Sequence, residues 1–330
     1  MRVRLPRGRA GDSAVGGRQL RPETHRDARR RSPRGSGRTR RRPARDRRSR
    51  SGRGARVSAR GNTIGLVTEA GPRDRSSEWR EPHPTWIVGH RGAPRRAREN
   101  TIESFDWAES IGVDAVEFDL RQTRDGEAVV YHDEDIALGT QRVPVRSFTT
   151  REIEKLVLPS ERGEYRIPRL PDVFHRYGRS LRYVVEVKSS PGYDRGVMAR
   201  RVAGLASEYG VGARCLVVSF DPEFCKKMRE TDPALATGYL FDHPVALPEV
   251  GRLTPLFPPV DGIGPARHLA TPLLLSQAAA AGLSVHTWTV NEPDEIRRFL
   301  QARIASVTTD VPDLAIATRA EAAPAASPSE

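Results

Sequence analysis

Four pairs of polar residues sit at or just past the carboxyl ends of short apolar runs. They are His90 with Arg91, Glu117 with Asp119, His132 with Asp133, and Glu186 with Lys188. Glu117 and Asp119 lie two positions apart in an extended run, so both side chains leave the same face, and the same holds for Glu186 and Lys188. Carboxylates brought together among apolar strands repel one another unless a cation joins them. A hard, oxygen-preferring ion, Mg²⁺ or Ca²⁺, meets that need. The alternative is an ion pair with a nearby base, and Lys188 stands where it could serve Glu186 in that way. A lone buried ion pair stabilises a fold weakly, which weighs toward the metal. His90 and His132, taken singly, read as ordinary core histidines. Taken with the acids and Arg91 they read as an acid and a base, because imidazole titrates near neutral pH. Arg91 and Lys188 add positive charge for a phosphoryl group, Arg through two-pronged contact with its oxygens.

These residues need a scaffold that gathers strand ends on one face. Eight apolar runs read as strands: 86–89, 115–118, 183–187, 216–220, 238–241, 262–264, 285–290 and 306–309. Amphipathic stretches at 101–111, 194–208, 222–229, 272–281 and 293–303 read as helices between them. Several open on Pro or close at Gly112, Gly210 or Gly282, the expected start and stop chemistry. Alternating strands and helices argue for βαβ units, and eight strands argue for an α/β TIM (β/α)8 barrel, whose catalytic residues gather at the carboxyl ends of the strands. Residues 128–132 read as an extra strand, and about 133–168 as a small insertion after the second strand, with one helical piece at 150–156.

Composition divides the chain. Residues 1–60 hold 22 Arg, no Lys and four acidic residues, a net of +18 against +13 for the whole chain. The other 270 residues therefore sum to −5, an ordinary globular balance. Residues 1–80 are expected to form a disordered Arg-rich arm, 85–319 the barrel, and 320–330 a disordered tail. The arm could meet nucleic acid or an anionic surface through counterion release. Arg without Lys or interleaved aromatics reads more simply as coding composition or an upstream start codon. Cys215 and Cys225 show no zinc or redox spacing. No run is long and apolar enough for a transmembrane segment, and no secretory leader is visible, so the expectation is a cytoplasmic protein.

The ordered motifs His90-Arg91-Gly92, Glu99-Asn100-Thr101, 112–119, Thr123-Arg124-Asp125-Gly126 and His132-Asp133 resemble the glycerophosphodiester phosphodiesterase family. Glu186-Val187-Lys188, Ser219-Phe220, 288–291 and 309–312 continue the resemblance in family order, so that it covers nearly all of 86–315. It implies a TIM barrel, a divalent metal on Glu117, Asp119 and Glu186, and His90 and His132 as acid and base. It further implies Arg91 and Lys188 on the substrate phosphate. Asn100 would order the site or approach the metal. Trp288 would shape the pocket, although an aromatic at a strand end is equally an ordinary barrel plug. The implied substrate is a small glycerophosphodiester, and the implied route is attack by a glycerol hydroxyl on phosphorus, followed by hydrolysis of a cyclic phosphate. A lysophospholipase D-like activity on lipid phosphodiesters, and a non-enzymatic module attached through the basic arm, are the competing readings. One departure stands out: the family's Gly-Val-Asp-Gly-like turn before the last strand is replaced by Ala302-Arg303-Ile304-Ala305-Ser306.

Overall fold

The computed structural model describes residues 77–247 and 257–322; the expected arm up to residue 76 and the tail from residue 323 lie outside the described residues. Eight parallel strands form the barrel: β1 (Trp86–Gly89), β2 (Ala115–Gln122), β3 (Arg182–Val187), β4 (Cys215–Ser219), β5 (Ala236–Phe241), β6 (Gly262–Pro265), β7 (Ser284–Thr287) and β8 (Ser306–Thr309). Pairing runs around the ring, and it closes where β1 lies parallel to both β8 and β2, with Trp86 opposite Ser306 and Val88 opposite Ala115. Among the described residues, seven helices pack outside: α1 (Ile102–Ile111), α2 (Leu170–Tyr177), α3 (Arg195–Glu208), α4 (Pro222–Thr231), α5 (Pro272–Ala280), α6 (Pro293–Gln301) and α7 (Pro312–Ala322).

Strand alternation explains the layering. In β2, Val116, Phe118 and Leu120 point outward into the core shared with α1 to α4, which leaves Ala115, Glu117 and Asp119 facing inward. Val88, Ala115, Val184, Leu216, Val218, Ala236 and Leu240 fill the lower interior. The acids thus stand one layer above a packed apolar plug. Helix ends follow local chemistry: Thr101 caps α1 by accepting from the Ser104 N–H, and Gly112 ends it in a left-handed turn at φ 85°.

Three expectations need correction. Residues 77–80 are not part of an unstructured arm: Trp79 is 2 % exposed and donates its indole N–H to the Arg214 carbonyl at 2.8 Å. Arg80 pairs with Asp261 at 3.0 Å and reaches the carbonyls of Pro233, Ala234 and Leu235. The polar look of the segment hid one large aromatic that seals the floor of the barrel. At the other end, α7 carries three residues into the expected tail, since Ala320, Glu321 and Ala322 are good helix formers and Pro324 comes only two residues later. β7 stops at Thr287 rather than Val290: beyond it only single contacts continue to the neighbouring strands, a parallel bridge from Trp288 to Ala266 and the Val290 N–H on the Thr308 carbonyl of β8. The insertion holds a strand, Ala128–Val130, antiparallel to β2, two hairpins (Asp135–Leu138 with Gln141–Pro144, and Leu158–Ser160 with Gly163–Tyr165) and a helical turn at Thr150–Ile153.

Two measurable consequences arise from the floor. Trp79 meets Trp86 edge-on with centroids 4.7 Å apart, so Trp79→Ala should cost about 3–5 kcal/mol, as emptying a large buried aromatic site does, read as a lower urea midpoint. An unchanged midpoint would show that the plug carries no weight. Beside it, among the described residues, the His286 ring is bonded only to the hydroxyls of Ser284 (2.8 Å) and Ser306 (2.9 Å), and burial pushes its pKa down to about 3. The unfolded chain, with an imidazole near its ordinary 6.5, binds a proton that the folded one refuses. Stability therefore falls as pH drops from about 6.5 toward 3. His286→Asn should flatten that part of the profile of urea midpoint against pH; equal slopes would place the acid sensitivity elsewhere.

Candidate active site

The loop after β1 is shaped to turn His90 and Arg91 back over the barrel mouth. A Cβ at Gly92, which sits at φ 92°, would run into Ser104, and one at Gly89 would run into the Gly92 carbonyl. Arg91 and Asn100 hold left-handed backbone conformations, at φ 54° and 56°, which the surroundings must enforce on side-chain-bearing residues. They lock each other: the Asn100 N–H donates to the Arg91 carbonyl at 3.1 Å, and the Ser104 hydroxyl donates to the same oxygen at 2.8 Å.

On β2 and β3, Asp119 lies directly across from Glu186, with Glu117 two residues below. All three are buried, and oxygens from each come within 4.8 Å of one another. Asp119 is the ionised anchor. Burial acts to raise its pKa, but Lys188, Arg91 and His132 together with the Asn100 amide hold it below the usual carboxylate range. Asn100 reads it twice, donating from Nδ2 to Oδ2 at 2.7 Å and accepting the Asp119 N–H at 3.2 Å. Glu117 is pushed up to about 8 by burial and by the negative charge of Asp119. Burial likewise raises Glu186, against the pull of Lys188. The Lys188 ammonium lies 3.0 Å from Asp119 Oδ1 and 2.5 Å from Glu186 Oε1. The ion-pair alternative for Glu186 is thus present in the structure.

That pairing leaves the triad incomplete. Glu117 Oε1 is buried without a hydrogen-bond partner, an arrangement that costs energy in a dry site. Three convergent carboxylates with an orphaned oxygen fit a divalent cation, whose oxygen ligands stand about 2.0–2.6 Å away. Spacing of up to 4.8 Å between the oxygens is within the span of a Ca²⁺ shell, and Mg²⁺, with its shorter bonds, asks the oxygens to draw closer together.

The histidines flank this cluster. His90 Nδ1 donates to Asp310 at 2.6 Å, leaving Nε2 pointed at Glu117, 3.9 Å away. Burial pulls the His90 imidazole down, but the Asp310 hydrogen bond and the Glu117 charge outweigh it and hold its pKa above the ordinary value. Asp310 is itself fixed by Asn291, which donates to its carboxylate at 2.8 Å and accepts its N–H at 2.9 Å. His132 pairs through Nδ1 with Asp133 at 2.8 Å, and its carbonyl accepts two bonds from Arg121 (3.0 and 2.7 Å), which also grips the Ser189 carbonyl at 2.7 Å. Arg91 donates its N–H to Glu117 at 2.9 Å and places its guanidinium 3.1 Å from both Asp119 and Glu99. Trp288 donates its indole N–H to the Gly264 carbonyl at 2.8 Å and stands edge-on to Phe220, whose ring lies 5.8 Å from the Lys188 ammonium.

The nine residues given roles from the sequence thus lie on β2 and β3 or in the segments that follow β1, the Ala128–Val130 strand, β3 and β7. Sequence reasoning left roles unassigned to Asp310, Asn291, Glu99 and Arg121. Asp310 and Asn291 lay within quoted motifs, but β8 becomes a neighbour of β1 only when the barrel closes.

With that geometry in hand, comparison with known proteins is decisive: the model of the glycerophosphoryl diester phosphodiesterase family matches residues 90–314. The chain belongs to that family. It is accordingly a phosphoric diester hydrolase. A glycerophosphodiester phosphodiesterase of Caldanaerobacter subterraneus subsp. tengcongensis is 29 % identical over 238 residues, covering 70 % of this chain and 96 % of the relative. One from Bacillus subtilis is 28 % identical over 71 % of this chain and 86 % of its own. Among crystal structures, a Silicibacter pomeroyi protein ascribed to the same activity is 29 % identical and superposes with a TM-score of 0.65, covering 74 % of this chain and 96 % of that one. Family membership removes the non-enzymatic reading of the barrel. Among the described residues no helix is long and apolar enough to cross a membrane.

Proposed function

We propose that the chain hydrolyses glycerophosphodiesters to glycerol 3-phosphate and an alcohol. In this reading His90 and His132 exchange the protons, Glu117, Asp119 and Glu186 hold a Mg²⁺ or Ca²⁺, and Arg91 and Lys188 meet the phosphoryl oxygens. Asn100 orders Asp119, and Trp288 with Phe220 borders the pocket. The observation that carries the reading is the pairing of an incompletely satisfied carboxylate triad with two imidazoles, each anchored at Nδ1 by its own carboxylate. Anchoring at Nδ1 leaves Nε2 of each ring to give or take a proton.

When bound, the cation would neutralise charge on the phosphoryl oxygens. The protein's own groups do the rest. One histidine takes the proton of the glycerol hydroxyl next to the phosphoester, and that hydroxyl attacks phosphorus. The other protonates the departing alcohol. The cyclic phosphate is then opened by water with the two roles exchanged. Asp310 keeps the His90 ring in one tautomer and orientation through the exchange, and Arg121 holds the His132 backbone against the β3 loop. Arg91 brings fixed positive charge where negative charge develops, which in phosphoryl transfer supplies much of the rate.

The substrate class is tested by comparing kcat/KM for glycerophosphocholine and glycerophosphoethanolamine with that for the matching lysolipids. Faster turnover of the two water-soluble diesters is expected. A preference for the lysolipids would move the assignment to a lipid-directed phosphodiesterase on the same barrel.

A further inference from the structure

We infer that Lys188 is an internal counter-ion that occupies the charge of the cation site, competes with the divalent ion for it, and is released toward the mouth when that ion binds. The inference rests on the reading of Glu117, Asp119 and Glu186 as metal ligands.

The argument starts from where the ammonium sits. It touches two of the three carboxylates of the triad, at 3.0 Å from Asp119 Oδ1 and 2.5 Å from Glu186 Oε1. Apart from that ammonium, those two buried oxygens and Glu117 Oε1 have no hydrogen-bond partner. A divalent ion bound to the same oxygens would face the ammonium across a few ångströms in a buried site, where like charges repel far more strongly than in water. One of the two must leave the oxygens.

The two basic residues at the site differ in their freedom to do so. Arg91 is held by its backbone N–H on Glu117, by Glu99 on its outer side and by the locked loop after β1. Among the described residues, Lys188 has no acidic partners besides Asp119 and Glu186. Its four-carbon stem carries rotatable bonds and a compact charge. The ammonium already lies over the ring of Phe220, 5.8 Å from its centroid, so a cation leaving the carboxylates keeps an aromatic face beside Trp288. Binding of the ion therefore moves a positive charge out of the triad to the edge where a phosphoryl group would be met, so that loading of the site also arms it for an anion. Competition of this kind lowers the affinity for the ion by the free energy of displacing the ammonium.

The test is calorimetric titration of Mg²⁺ and of Ca²⁺ into the full chain after chelator treatment, without phosphate. Lys188→Met and Lys188→Gln should each bind the ion about tenfold tighter or more than wild type, while Lys188→Arg, which keeps the charge, should stay near wild type. Equal or weaker binding by the neutral variants overturns the inference. Absence of ion binding by wild type and by every variant overturns the metal reading itself, and the inference with it. A second readout needs no variant: labelling of Lys188 by an amine-directed acetylating reagent, followed by peptide mass spectrometry, should rise when Mg²⁺ is added to the wild-type chain. Unchanged or reduced labelling contradicts the release.

Discussion

Replacing His132 with Ala should lower kcat by about a hundredfold to ten-thousandfold, the range associated with loss of a positioned acid or base, while unfolding stays cooperative and its midpoint barely moves. The two effects separate because of where the side chain stands. The His132 side chain is 36 % exposed and its one side-chain partner among the described residues is the more exposed Asp133, so no core packing depends on the ring. What holds the segment is the backbone: the His132 carbonyl on Arg121, and the Tyr131 N–H on the Asp119 carbonyl. Both survive the substitution. Turnover by the variant within about threefold of wild type, well outside that range, would remove His132 from the chemistry, and a collapsed unfolding transition would recast it as a structural residue.

Asp119→Asn should be still more damaging. Asp119 is fully buried and gathers Lys188, Arg91 and both polar atoms of the Asn100 amide, so the isosteric amide deletes the central negative charge without opening a cavity. Loss of ion binding and a fall in kcat/KM of about a thousandfold or more are expected, since ion and bases together provide the electrostatic part of catalysis. Stability should fall by about 1–3 kcal/mol, below the usual cost of breaking a buried ion pair. Glu117 explains the discount: Asp119 is one of the charges that pushes it up to about 8, so removing Asp119 lets Glu117 ionise near neutral pH and return part of the lost charge. Metal content by elemental analysis, kcat/KM and urea midpoints together check this. A variant that keeps its ion and turns over normally would remove Asp119 from the ligand set.

The barrel was legible because its strands alternate so plainly. Ala115-Val116-Glu117-Phe118-Asp119-Leu120 sends every second residue outward into apolar packing, which leaves Glu117 and Asp119 no place but the interior. The same pattern at Val184, Glu186 and Lys188 set the opposing wall, and the structure places Asp119 directly across from Glu186. What the sequence hid was long-range. Asp310 reaches His90 across 220 residues, and the contact exists only because β8 closes on β1. Trp79 was lost inside a stretch of charged and small residues, since burial of one aromatic on a distant barrel floor leaves no local period to detect. α2 was within reach, with apolar residues at 170, 173, 174 and 177 and Pro171 at its start, but it was overlooked beside the irregular insertion. The missing glycine turn before β8 has a clear outcome. Arg303 adopts φ 51°, a left-handed turn that favours glycine, and Ser306 still pairs in register with Trp86.

Release of glycerol 3-phosphate from glycerophosphocholine by the chelator-treated full chain, before and after adding back Mg²⁺ or Ca²⁺, tests the central claim most directly. Turnover that disappears with the chelator and returns with either ion is the predicted result; turnover indifferent to both, or none with any divalent ion, would contradict it.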